Sequence, residues 1–107
     1  MDINRSAPEI KARLDLGEEL LLLDVREPNE VAFCAIPGSV HIPLGQVPGR
    51  LHELDPEREI VVVCHHGARS FQACMFLRAR GFGNVYNLDG GIDAWSLSVD
   101  PAMPRYR

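Results

Sequence analysis

The chain has 107 residues, 46% of them hydrophobic, and a net charge of −4. That suffices for one domain, residues 1–107, with its own core, and the sequence is too apolar for disorder. Acidic side chains outnumber basic ones 15 to 11, so there is no basic footprint for nucleic acid and no charge attraction to an anionic membrane.

The first five residues, Met1-Asp2-Ile3-Asn4-Arg5, lack the apolar run of a signal peptide. Ser6-Ala7-Pro8-Glu9 has the form of a capping box, and Ala7, Ile10 and Leu14 follow at helical spacing. Gly17 is placed to close that helix. Leu20–Leu23 is apolar throughout. Leucine also favours helix, but Gly17 and Pro28 bracket the run and favour a strand buried on both faces. Asp24-Val25-Arg26-Glu27 ends it. Pro28 opens a short helix whose apolar side is Val31, Ala32 and Phe33. Ile36-Pro37-Gly38-Ser39 reads as a turn, and Val40-His41-Ile42 as a short extended segment. Val47, Leu51 and Leu54 predict a helix that Gly49 weakens by roughly 1 kcal/mol. After the Asp55-Pro56 turn, Ile60–Val63 is a strand and Arg69–Arg80 a helix, apolar over much of its circumference and expected to be well buried. Gly81 and Phe82 close that helix. Val85–Leu88 is a further strand, and Asp89-Gly90-Gly91 leads into a short helix with Ile92 and Trp95. The tail Asp100–Arg107, with Pro101 and Pro104, is expected to be irregular.

Strands alternate with helices, which predicts an α/β fold with a parallel sheet and right-handed crossovers. Ligands in such sheets bind beyond the carboxyl ends of the strands, and Cys64 ends one. The three cysteines, Cys34, Cys64 and Cys74, are not spaced as a disulfide framework, and no apolar run approaches membrane-spanning length. Both observations predict a reducing, cytoplasmic setting.

The chemistry concentrates in Cys64-His65-His66-Gly67-Ala68-Arg69-Ser70. Four residues separate Cys64 from Arg69, enough to curl successive N–H groups toward the sulfur. Gly67 permits a positive φ where the curl is tightest. Arg69, the helix N-terminus and any charge on His65 and His66 favour thiolate, the nucleophilic form. Cys64 is the candidate nucleophile, and His65, His66, Gly67, Ala68 and Arg69 are candidate substrate-binding residues. The competing reading is an inert buried cysteine at a strand end. Adjacent Cys64, His65 and His66 do not converge on a tetrahedral ion, so no metal is expected. Cys74 reads as core packing, and Cys34 as a semi-buried bystander or a resolving cysteine. Asp24 reads as a cap on backbone N–H groups, Arg26 as a partner of a carboxylate such as Glu30 or a residue that steers substrate, and Trp95 as core. His41 and His52 read as surface or structural residues. The Ser70 hydroxyl either bonds the loop or simply helps begin the helix.

The loop Cys64–Ser70 resembles the active-site loop of rhodanese-like sulfurtransferases. Asp24-Val25-Arg26-Glu27, Ile36–Pro43 and Gly90-Gly91-Ile92-Asp93-Ala94-Trp95 resemble other motifs of that family, in the same order along the chain. The segment from Val99 to Tyr106 is similar to the end of rhodanese domains fused to enzymes that activate ubiquitin-like sulfur carriers. Ala35 stands where many members have histidine, and Gly49 where alanine is commoner. The resemblance implies a three-layer fold, with a mostly parallel sheet of about five strands and helices on both faces. It also implies a cofactor-free sulfurtransferase. Cys64 takes a sulfane sulfur from a donor such as thiosulfate, and a thiol, a sulfur-carrier protein or cyanide accepts it. Phosphatases and arsenate reductases that share the fold have a loop one residue longer, so they are the weaker alternative. A regulatory or interaction module that keeps the loop but turns over poorly is the stronger one.

Overall fold

The computed structural model describes residues 2–107. β1 is Asn4–Arg5, α1 Ala7–Asp15, β2 Leu21–Asp24, α2 Pro28–Phe33 and β3 Val40–His41. β4 is Ile60–Val63, α3 Ala68–Ala79, β5 Val85–Leu88 and α4 Gly91–Ser98. The five strands form one sheet in the order β1-β5-β4-β2-β3, every neighbouring pair parallel.

β4 lies at the centre, with Ile60 opposite both Leu21 and Val85. Its four residues are all buried, as an apolar strand covered on both faces must be. Alternation divides them between two cores. Ile60 and Val62 pack with Ala73, Cys74 and Leu77 of α3. Val61 and Val63 pack with Ile10 of α1 and with Ile92 and Trp95 of α4. Cys64 continues the alternation onto the α3 face. The connections leaving β2 and β4 run to opposite edges of the sheet, so a crevice opens between their carboxyl ends.

Local signals account for the helix ends. Ser6 Oγ accepts from Glu9 N–H at 3.2 Å at the start of α1. At the end of α3, the Phe82 N–H donates to Leu77 and the Gly81 N–H to Arg78, with Gly81 at φ 93° and Phe82 buried.

Several expectations need correction. Val47–Leu54 is not an α-helix. Two 3₁₀ segments, Leu44–Gln46 and Pro48–Glu53, take its place and break where Arg50 leaves helical angles. α2 buries none of its apolar side, and Phe33 stands 52% exposed against the edge of the Tyr106 ring. α3 is buried on one face only. Phe71 and Met75 lie exposed, because α3 covers a single face of the sheet. β1 escaped the periodicity because two residues carry no repeat. Its pairing with Asn87 and Leu88 makes it a strand.

Candidate active site around Cys64

β4 delivers Cys64 to the centre of the carboxyl edge, where only 1% of its surface is accessible. Gly67 turns the chain at φ 110°, and α3 begins at Ala68. The Gly67 N–H then points back at Cys64 Sγ from 3.0 Å. The sulfur also lies 3.2 Å from the Ser70 hydroxyl. Asn87 Oδ1 accepts from the same hydroxyl. Ser70 has one proton for two acceptors. Of the donors expected around the curl, the Gly67 N–H and the Ser70 hydroxyl bond the sulfur.

The loop is fixed from behind by α4. The Ile92 N–H donates to the Cys64 carbonyl at 2.8 Å and the Asp93 N–H to the His65 carbonyl at 3.2 Å. The first N–H groups of a helix have no partner within it, and here the loop carbonyls supply one. So close an approach requires glycine. A Cβ on Gly91 would lie 2.5 Å from the Cys64 carbonyl oxygen, and φ is 62°. Asn87, on β5, adds a second tie. Its amide donates to the Gly67 carbonyl at 3.2 Å and to Asn4 Oδ1 at 3.0 Å.

Arg69 is not a free cation. Its guanidinium grips the Glu30 carboxylate with two bonds of 2.7 and 2.8 Å. The expected Arg26–Glu30 side-chain pair does not form. Instead Arg26, fully buried, forks onto Asp24 at 2.7–3.1 Å, because Asp24 lies two residues away on the same buried strand end. Asp24 also caps the Arg26 N–H, as expected. Hydrogen bonds from Arg69 hold the Glu30 carboxyl well below the usual carboxylate range. The same bonds to Glu30 raise Arg69 in turn, with a smaller contribution from the Cys64 sulfur.

His65 faces the tail. Its ring stacks on Tyr106 and on His66, both at 3.9 Å between centroids, and its Nε2–H donates to the Tyr106 carbonyl at 2.7 Å. His66 and Ala68 are exposed at the loop rim. His41 donates to the Arg26 carbonyl at 2.7 Å, a structural role, and His52 is exposed. Cys34 is buried with its sulfur 4.0 Å from Arg26, and no cysteine is in a disulfide. Trp95 is core.

Sequence reasoning missed Asn87, Tyr106 and the part Gly91 plays. Paired glycines at a helix start do signal close backbone approach. Tyr106 carries no local signal, because its partners Glu30 and His65 lie 76 and 41 residues away.

Comparison with known proteins bears on the same residues. The rhodanese-like domain family matches residues 6–98. A sulfurtransferase of Allochromatium vinosum is 42% identical over 81% of this chain and 81% of its own. The chloroplastic rhodanese-like/PpiC domain-containing protein 12 of Arabidopsis thaliana is 44% identical over 83% of this chain. The chain spans only 31% of that relative. The crystal structure of a rhodanese-like domain protein from Staphylococcus aureus superimposes with a TM-score of 0.85 at 27% identity, over the whole of both chains.

Proposed function

The chain belongs to the rhodanese-like domain family, and from that footing we propose that it transfers a sulfane sulfur through a persulfide on Cys64. The observation that carries this reading is the Cys64 sulfur itself. It sits at the floor of a short loop, with a backbone N–H and a hydroxyl donating toward it. Donors of that kind stabilise thiolate over thiol and cost no reorganisation when the charge forms.

With thiosulfate as donor, the Cys64 thiolate attacks the outer sulfur. A sulfur–sulfur bond forms at Cys64, the one inside thiosulfate breaks, and its electron pair leaves with sulfite. An acceptor thiolate, free or on a sulfur-carrier protein, then attacks the outer sulfur of the persulfide and releases Cys64 as thiolate. His66 and Ala68 at the rim are the side chains such an acceptor meets first. No redox cofactor is needed, since each step exchanges one sulfur–sulfur bond for another. A cytoplasmic, reducing setting belongs to the same reading, since a thiol must stay free to act. Among the described residues, no helix is long and apolar enough to cross a membrane.

The test is mass spectrometry of the native protein before and after thiosulfate. One added sulfur atom on Cys64, removed by cyanide as thiocyanate, is the expected result. No added sulfur, with Cys64→Ser and native protein alike in a thiocyanate assay, overturns it.

A further inference from the structure

The tail adds a component that the loop sequence does not contain. Past α4, Ser96 Oγ–H donates to the Met103 carbonyl at 2.7 Å, and the Arg105 guanidinium pairs with Asp93 at 2.8 Å. These ties bring Tyr106 back over the carboxyl edge of the sheet. Its ring covers His65. Its hydroxyl accepts from Arg26 Nη1 at 3.0 Å and donates to Glu30 Oε2 at 2.7 Å.

A charge chain results: Asp24, Arg26, the Tyr106 hydroxyl, Glu30, Arg69. The hydroxyl joins its two ion pairs. Burial pushes the phenol up to about 12, so it remains a donor at any working pH. Glu30 Oε1 is held by the Glu27 N–H at 3.0 Å, and Oε2 by Tyr106. Arg69 is held in turn by both oxygens.

We propose that Tyr106 is a positioning residue of the active site: through Glu30 it sets how much positive charge Arg69 presents to an anion approaching Cys64. The hydroxyl donates to Glu30 and disperses its charge, leaving more of the Arg69 charge uncancelled. This deepens the sulfurtransferase reading by assigning the tail to recognition of an anionic donor, but its test does not depend on turnover.

The test compares alkylation of Cys64 by iodoacetate, an anion, and by iodoacetamide, its neutral counterpart. Both consume the same thiolate, so their rate ratio cancels the fraction ionised and reads the local charge. Tyr106→Phe keeps the ring over His65 and removes only the hydroxyl. It is expected to lower the iodoacetate-to-iodoacetamide ratio about threefold, and Glu30→Gln to raise it about fivefold, the scale of one nearby charge in a largely aqueous site. A purely structural tyrosine would slow both reagents alike or lower the unfolding temperature without changing the ratio. An unchanged ratio in Tyr106→Phe, with the unfolding temperature held within about 2 °C, overturns the proposal. Should that variant unfold, Glu30→Gln decides, since a ratio that does not rise shows that Glu30 exerts no charge control. If thiosulfate loads no sulfur but the ratios move as stated, the sulfurtransferase reading fails and the role of Tyr106 stands. If sulfur loads, Tyr106→Phe should raise KM for thiosulfate and leave the step with the acceptor thiol unchanged.

Discussion

Cys64 and Cys74 share one hydrophobic core, are 1% and 0% exposed, and lie on the same face of the sheet. Burial therefore does not distinguish them; the donors around them do. Cys64 ends a strand where the chain has just turned, and the Gly67 N–H and Ser70 hydroxyl are free to reach its sulfur. Cys74 sits mid-helix, where every nearby N–H is already spent on the helix ladder. Desolvation pushes its thiol up to about 12. A buried thiol with no donor in reach is held protonated, whereas one with donors aimed at its sulfur has support for a charge.

The largest effect should come from exchanging the two roles. Cys64→Ser should lower sulfur transfer by about 10³-fold or more, since the reaction then lacks its carrier. Cys74→Ala should leave kcat within about twofold and cost only stability. Iodoacetamide on the native protein should label Cys64 and spare Cys74. Labelling of Cys74 at a comparable rate would end the distinction.

The next effect comes from the support behind the loop. Gly91→Ala places a methyl group against the Cys64 carbonyl oxygen and a side chain at a φ of 62°. Overlap and left-handed strain together should destabilise by about 3 kcal/mol, read from the urea midpoint. Activity should fall further than the folded fraction does, because the Ile92 N–H loses its grip on the loop. A smaller change probes the sulfur directly. Ser70→Ala removes one of the two donors and should slow loading of Cys64 about tenfold, the worth of one hydrogen bond to a charged group. Cys74 lies four residues along the same helix and should not sense it.

What the sequence shows of this comparison follows from how far each signal reaches. Ile60–Val63 is apolar throughout, and Val85–Leu88 is bounded by turns with apolar Val85 and Leu88 at its ends, so both strands are legible to the residue. The Cys64 loop is legible for the same reason, with cysteine, glycine and helix start lying within seven residues. The pairing of Glu30 with Arg69 rather than with Arg26 is not. Either arginine is free by charge to take Glu30, and only the crevice between β2 and β4 brings Arg69 to it. Val47–Leu54 misleads because its spacing suits an α-helix, while the backbone leaves helical angles at Arg50 and settles into short 3₁₀ turns.

The smallest effect tests the inert cysteine on its own terms. The Cys74 thiol is raised from about 9 to about 12 by desolvation. A raised pKa contributes stability that is fully present below the unfolded value and lost as pH climbs toward the folded one. At pH 8 both folded and unfolded chains carry the proton, so native protein and Cys74→Ala differ only by packing. Between pH 9 and 10 the unfolded chain ionises while the folded one does not, and the native advantage should shrink by about 1 kcal/mol. Urea unfolding of both proteins at pH 8 and pH 10 measures the change directly. A difference that stays constant across that range would mean that the Cys74 sulfur has a source of stabilisation for its charge, and the contrast with Cys64 would then have to rest on access rather than on donors.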